Sequence, residues 1–341
     1  MLHFKKVYRF VSSMKAGLIL LGLIGLVAAI GTAIRPQTFY HTTPFKILLV
    51  LLFINMGFCT FEQIYKFVKV LRKTKTPNRN RFWSKQFSLL ILHFGIVLIL
   101  IGGIVNAYSG QSAPVKVLEG ETIAITDIIS AKQAFALKVN QFTIDFYADG
   151  SPSQYISDIT IIDEVKLENF SVSVNHPLNY RGIKAYQQSY GYMVDVINYD
   201  GENESHMLLD EGQIIGFQNT RRLVKFFKYI PNYDARYGMQ TKTLRPDNPK
   251  IIYSVYEDEQ LLGIGAADIA ESIQIDEDVF LNFTSLVPYT VLLIKSDPGL
   301  LWAGIGSIML MVGVSWFWYF TSRGKSRRKN KINGGTTDDI V

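Results

Sequence analysis

The sequence predicts a membrane protein with four transmembrane α-helices. A large extracytoplasmic all-β domain, a sandwich or open barrel, is expected between helices three and four. Three observations carry this. Four apolar runs match the about 20 helical residues that cross a bilayer. Basic residues crowd the flanks that one side of a four-crossing chain would share. Residues 108–298, between the third and fourth runs, alternate apolar and polar positions as strands do. A composition 48% hydrophobic over 341 residues excludes a disordered or fibrous chain.

The N-terminal segment 1–13 carries Lys5, Lys6 and Arg9. Run one, 14–34, reads MKAGLILLGLIGLVAAIGTAI. It is too long for a signal h-region, and no small-x-small site precedes a mature start. A short loop, 35–44, leads to run two, 45–63. The loop 64–85 holds eight basic residues, from Lys66 to Lys85. Run three is 86–107, run four is 299–320, and a basic tail occupies 321–341, of which KSRRKNKINGGTTDD (325–339) is expected to be disordered. The positive-inside rule puts both termini and the 64–85 loop in the cytoplasm, with 35–44 and 108–298 outside. The absence of a transit segment favours a bacterial cytoplasmic membrane.

Charge divides by side. Residues 109–297 hold 15 Lys+Arg and 26 Asp+Glu, a net of −11, within a chain whose total is +6. The basic excess therefore sits at the cytoplasmic face and suits topology and anionic lipid; no nucleic-acid partner is expected. Cys59 is the sole cysteine, so the outer domain has no disulfide and the chain performs no dithiol exchange alone.

Within the outer domain, 136–147, 154–163, 170–175 and 192–199 read as strands, with a break at Gln141. Gly, Pro, Asn and Asp clusters at 148–153 and 199–203 read as turns. Residues 225–250 are rich in aromatic and basic side chains and lack periodicity, so they read as a long loop. Residues 268–273 read as a helical turn or a strand edge. No internal repeat is evident.

Motifs for soluble chemistry are absent: no phosphate loop, no zinc spacing, no nucleophile elbow. Glu119, Glu121 and the triplet 257–259 read as solvated surface, as does His206 in a turn-like stretch. His176 reads as a turn residue and His3 as incidental.

His93 differs, because it interrupts the uncharged run from Phe87 to Val105. An intramembrane imidazole is a functional-site hypothesis by default. It suits a helix–helix hydrogen bond, a proton relay, or ligation of a metal or haem, since burial favours the neutral ring with its lone pair free. Asn55 and Cys59, four apart, share one face of run two. They read as a helix–helix contact and a small buried hydrophobe.

A resemblance then covers nearly the whole chain. NHPLNYRGIKAYQQSYG (175–191) resembles the NxPLxYxGxxxYQxSYG signature of the ResB/CcsB family of system II cytochrome c biogenesis proteins. It matches at Asn175, Pro177, Leu178, Tyr180, Gly182, Tyr186, Gln187, Ser189, Tyr190 and Gly191. SSMKAGLILLGLIGLVAAIGTAIRPQ (12–37) resembles the family's opening helix, with Arg35 one extra residue, and FINMGFCTFEQ (53–63) its second. In this signature Gly182 and Gly191 read as turn glycines, and Tyr186 and Tyr190 as packing.

The resemblance implies a non-catalytic or co-catalytic subunit of a holocytochrome c synthase, working with a CcsA/ResC-type membrane partner. Such a pair moves haem outward and supports its covalent attachment to apocytochrome c. It implies transiently bound b-type haem with His93 as an axial ligand to its iron, the second ligand coming from the partner. A separate thiol-reducing protein is required. His41 is a weaker candidate on the outer side. SWFWYF (315–320) reads as an interfacial aromatic belt, not the partner's tryptophan-rich haem segment. The alternative is a membrane-anchored assembly scaffold that binds no haem. A transporter would want more intramembrane polar residues or broken helices.

Overall fold

Long apolar stretches become helices because a bilayer leaves the backbone no other way to pair its polar groups. In the computed structural model four such helices form: α1 (Met14–Ile34), α2 (Thr43–Arg72), α3 (Arg79–Ser109) and α4 (Leu300–Asn333). Each contains a span long and apolar enough to cross a membrane: Lys15–Ile34, Thr43–Lys69, Trp83–Ser109 and Leu300–Phe320. The structure describes residues 10, 12–34, 39, 42–72, 79–130, 134–164 and 167–333. The chain divides into a helical unit, up to Gly110 and from Asp297 onward, and a β unit, Gln111–Ser296. Helix α2 runs past the expected end of run two, α3 starts before run three, and α4 continues into the basic tail as far as Asn333. The tail expectation is corrected over 325–333, where the backbone is helical, while 334–339 lie outside the described residues.

In the helical unit, glycines at seven-residue spacing set the contact between α3 and α4. A Cβ on Gly95 would lie 2.7 Å from the Gly306 carbonyl oxygen, and one on Gly306 would lie 2.5 Å from that of Gly95. Gly102 and Gly299 oppose each other in the same way, and Gly313 meets the backbone of Leu92. Only glycine lets two helix backbones approach so closely, as in small-residue membrane interfaces generally. Helix α2 meets α3 through Phe67, which packs on Trp83 and Phe87.

The β unit has fourteen strands among the described residues. The first seven are β1 (Gln111–Leu118), β2 (Thr122–Ala124), β3 (Ala136–Phe146), β4 (Pro152–Ile162), β5 (Leu167–Ser173), β6 (Leu178–Tyr180) and β7 (Ile183–Asp200). The rest are β8 (Asn203–Leu209), β9 (Ile214–Gly216), β10 (Arg222–Ile230), β11 (Lys250–Glu257), β12 (Gln260–Ala267), β13 (Ser272–Asp276) and β14 (Val279–Ser296). They form three antiparallel sheets. Strands β7 and β14, 18 residues each, pair from Ile183↔Ser296 to Asp200↔Val279 and act as a spine. Strands β1 and β13 flank β14, and β6 and β8 flank β7. The other sheets run β2-β3-β4-β5 and β12-β11-β10-β9.

The spine serves two cores. At one end, Ala185, Leu292 and Ile294 pack with Leu137, Val139, Ile159 and Ile161 from β3 and β4. At the other, Val194, Val196, Leu281 and Phe283 pack with Val224, Phe226 and Ile251 from β10 and β11. The expected loop over 225–250 holds for 231–249 and is corrected at its start, where 225–230 belong to β10. Val224, Phe226, Tyr229 and Ile230 are buried strand residues of β10, and the break in periodicity that hid them is a β-bulge between Phe226 and Lys228. Bulging also explains the break at Gln141 in β3. Residues 268–273 form a turn that enters β13.

A repeat invisible in the sequence appears at three corners where the chain leaves one sheet for another. Gly120, Gly212 and Ala270 have φ of 81°, 88° and 66°. Their amides donate to the carbonyls of Val139, Phe226 and Phe283, at 2.7, 2.7 and 2.6 Å. The amides of those three residues donate back to Glu121, Gln213 and Glu271, at 3.0, 2.9 and 3.0 Å. The side chains of Glu121, Gln213 and Glu271 in turn accept from the amides of Leu118, Asp210 and Asp268, at 2.9, 2.8 and 2.6 Å. Each docked strand is bulged just after the contact, at Val139/Gln141, Phe226/Lys228 and Phe283/Ser285. Glu119 and Glu121 are thus caps on backbone amides rather than merely solvated acids, Glu119 accepting from Phe142 at 2.7 Å.

Candidate functional site

His93 lies on α3, two residues before Gly95. Two residues turn a helix by about 200°, so His93 is on the face away from the glycine line that packs α4. Its side chain is half-buried. Nδ1 lies 2.7 Å from the carbonyl oxygen of Leu89, one turn back on the same helix. A carbonyl only accepts, so Nδ1 is the donor, and in the neutral ring Nε2 keeps its lone pair. The same arrangement orients metal-bound imidazoles elsewhere: one ring nitrogen donates to a backbone carbonyl and the other ligates. No cluster of three or more His, Cys, Asp or Glu is placed to hold a metal among the described residues.

Amide side chains, the buried Asn106 oxygen on α3 among them, add to the polar content of these helices. The side-chain oxygens of Gln63 on α2 and Gln86 on α3 are buried and meet no hydrogen-bond donor among the described residues. Gln86 is seven residues before His93, about two turns along the same face. Neither glutamine stood out in the sequence, because each lies at the boundary of an apolar run where a polar residue is unremarkable. Asn55 and Cys59 do share a face, and both reach the two residues just before α1: Asn55 Nδ2 donates to the Ser13 carbonyl at 3.3 Å, and Cys59 Sγ to that of Ser12 at 3.3 Å. Their role is to fasten α2 to the start of α1. His41 and His3 lie outside the described residues.

In the β unit, the 175–191 stretch builds the start of the spine. Asn175, with φ 65°, opens a turn in which His176 stacks on Phe170. Arg181 and Gly182, with φ 50° and 79°, make the two-residue turn between β6 and β7. Positive φ at both central positions matches the twist of a tight hairpin. The Tyr180 hydroxyl donates to Asp163 at 2.7 Å, and Arg181 pairs with the same carboxylate at 2.6 Å. The hydroxyl bond, together with the guanidinium charge, holds the Asp163 carboxyl below its ordinary range. Gln187 accepts from Ser157 at 2.7 Å and Thr290 at 3.0 Å, both fully buried. Tyr190 packs with Tyr155, Tyr192 and Phe142, ring centroids 4.9, 6.0 and 5.9 Å apart, and Tyr192 continues to Tyr229 at 4.8 Å. Burial pushes the Tyr190 and Tyr229 phenols well above the ordinary tyrosine range, so these rings are neutral packing groups.

Two expectations need correction here. Gly191 is not in a turn; it is mid-strand in β7, opposite Tyr289 of β14. His206 is exposed, as its reading as solvated surface expects, but it lies on β8 rather than in a turn, beside Glu204 at 3.2 Å. Asp163 was not singled out from the sequence, since only the fold brings the end of β4 beside Tyr180.

The ResB-like family model matches residues 83–281. That stretch runs from α3, with His93, through most of the β unit. A cytochrome c biogenesis protein CcsB of Synechococcus sp. (strain JA-3-3Ab) is 30% identical over 254 residues, 69% of this chain and 51% of that protein. One from Picosynechococcus sp. is 27% identical over 233 residues, 66% of this chain and 48% of that protein. A third, from Synechococcus elongatus, is 27% identical over 235 residues, 66% of this chain and 49% of that protein. The chain thus spans about half the length of the curated relatives it matches. With the matched model covering more than half of its residues, including the whole 175–191 signature, this chain belongs to the ResB-like family.

Proposed function

We propose that this chain acts in cytochrome c biogenesis, as the subunit of a system II cytochrome c synthase that handles haem. Haem is its cargo and His93 is one axial ligand to the iron. The observation that carries this reading is the His93–Leu89 hydrogen bond of 2.7 Å, which leaves Nε2 able to ligate. A neutral imidazole in an apolar helix pays no penalty for a buried charge. The buried oxygens of Gln63 and Gln86, which meet no donor among the described residues, support a membrane partner that brings donors to this unit. In this reading the partner is of the CcsA/ResC type and supplies the second axial ligand. Apocytochrome c is met by the β unit outside a bacterial cytoplasmic membrane, where a separate protein keeps its thiols reduced. Both termini are cytoplasmic, and the β unit is two sandwich-like halves sharing the β7–β14 spine. His41 is a second candidate at the outer side.

Bound haem supplies the iron that an imidazole holds and the vinyl groups that cysteine thiols attack. What this chain contributes is an imidazole in a fixed tautomer, oriented by its own helix. The test is the absorption spectrum of the protein purified with its membrane partner, for wild type and His93→Ala. The reading expects haem in the wild type, its loss in the variant, and recovery of the spectrum when imidazole is added. An unchanged haem load and unchanged cytochrome c maturation in His93→Ala would overturn it in favour of the scaffold reading, with His93 a self-satisfied packing residue. Orientation is tested separately. In a Cys59→Ser background, a cysteine at exposed Gln188 should react with a membrane-impermeant maleimide added outside intact cells; protection there would reverse the assigned topology.

A further inference from the structure

Sheet edges invite pairing with other chains, and proteins blunt them with short strands, charges or proline. Among the described residues the edge strands follow that rule, with one exception. Strands β2, β6 and β9 have three residues each. Strand β1 carries Pro114 and Lys116, β5 Glu168, β8 Glu204, and β13 Asp276. Strand β12 ends its sheet with eight residues, QLLGIGAA, and has neither charge nor proline. Leu261, Leu262 and Ile264 on it are 53%, 52% and 63% exposed. Adjacent leucines are both exposed because the register shifts between Val255 and Tyr256, which pair with Gly263 and Leu261 and leave Leu262 unpaired. Gly263 has open space where a side chain would stand, so another backbone can come close.

We propose that the free edge of β12 is a docking site for an extended segment of another polypeptide, added as a further antiparallel or parallel strand. Charge identifies the occupant. The strand is bracketed by Glu257, Asp258 and Glu259 at one end and Asp268 and Glu271 at the other; Arg221 pairs with Asp258 and Lys250 with Asp268, so the bracket keeps a smaller acidic excess. A second copy of this chain pairing antiparallel through β12 would set these acidic ends against each other, which is unfavourable across a sheet. The bracket also opposes docking on an anionic lipid surface. The segment that fits has apolar side chains at alternate positions and lysine or arginine at its flanks. Backbone hydrogen bonds give the affinity and the exposed leucines and isoleucine the preference, as in strand addition generally. The inference is independent of haem and of His93.

The test uses the full chain in detergent micelles and a fluorescent peptide of alternating valine and threonine flanked by lysine pairs, read by anisotropy. Saturable binding is expected. It should weaken at least tenfold with Ile264→Lys, with Leu262→Lys, with a glutamate-flanked peptide, and with a peptide N-methylated at alternate amides. Both variants replace exposed side chains, and an unchanged melting temperature shows that they fold. Absence of binding overturns the proposal, as does equal binding by the variants or by the N-methylated peptide. A wild-type dimer that Ile264→Lys converts to a monomer also overturns it, making a second copy the occupant.

Discussion

The ring of Tyr289 lies across Gly191, its direct partner in the β14–β7 pair, and fills the space where a Cβ at 191 would stand. Tyr253 covers Gly265 in the same way in the β11–β12 pair. A glycine costs a strand side-chain packing and entropy, and an aromatic neighbour restores the packing. Gly191→Ala should lower stability by about 1–3 kcal/mol through overpacking, measured by denaturant unfolding of the β unit's signal. Combining it with Tyr289→Ala should cost less than the sum of the two single changes. Gly263→Ala, with open space around it, should stay within about 0.5 kcal/mol of wild type. Additive losses at 191 and 289 would show that the ring does not depend on the missing side chain.

That pair also shows what the sequence could and could not yield. A glycine beside tyrosine and serine reads equally well as a turn, and only the register of a strand about a hundred residues away places Gly191 mid-sheet. The four helices were legible because hydropathy is local and strong, and His93 stood out against it. Strands β10 to β12 were not legible: a bulge at Phe226/Lys228 breaks the alternation, and β12 is exposed along nearly all its length. The partners of Tyr180 and Gln187 are equally non-local. The three corners escaped notice because EGE, EGQ and IAE share a backbone path and one capping side chain, not a sequence.

The Asp163–Tyr180 bond sets a pH window for the β unit. Asp163 has a lowered pKa when folded, chiefly through the tyrosine hydroxyl. Its stabilisation is therefore present above the unfolded carboxylate value, near about 3.9, and is lost as pH falls through the folded value. Tyr180 is raised by the same bond, so the stabilisation also fades as pH climbs past the tyrosine range, about 10. Tyr180→Phe should melt at a lower temperature than wild type at pH 7, and the gap should close toward both extremes. Phenylalanine keeps the ring that meets Phe135 at 5.1 Å, so a gap that stays constant down to the acid limit would show that the hydroxyl does not act through the Asp163 carboxylate.

The glycine line between α3 and α4 predicts a position-specific intolerance of bulk. Gly95→Val and Gly306→Val each force apart backbones that touch, and should reduce the monodisperse fraction in detergent by several-fold, consistent with about 1–3 kcal/mol of overpacking. Gly22→Val and Gly25→Val on α1 place the new side chain where nothing lies within 4 Å, so they serve as controls for glycine loss in a membrane helix. Equal behaviour of the two sets in size-exclusion chromatography would mean that α3 and α4 do not depend on close approach.

The corners predict a gain of stability as well as losses. Ala270 holds the left-handed conformation that glycine holds at 120 and 212. A residue with a Cβ pays roughly 1–2 kcal/mol there, so Ala270→Gly should stabilise the β unit while Gly120→Ala and Gly212→Ala destabilise it by a similar amount. The capping side chain makes a second, independent claim. Gln213 does with an amide what Glu121 and Glu271 do with a carboxylate, so Glu121→Gln should be nearly neutral. Glu121→Ala leaves the Leu118 amide without its acceptor and should cost about 1 kcal/mol. Because the three corners dock on separate strands, losses at 120 and 212 should add. Strong non-additivity in denaturant midpoints would mean that the corners act through the shared spine rather than one by one.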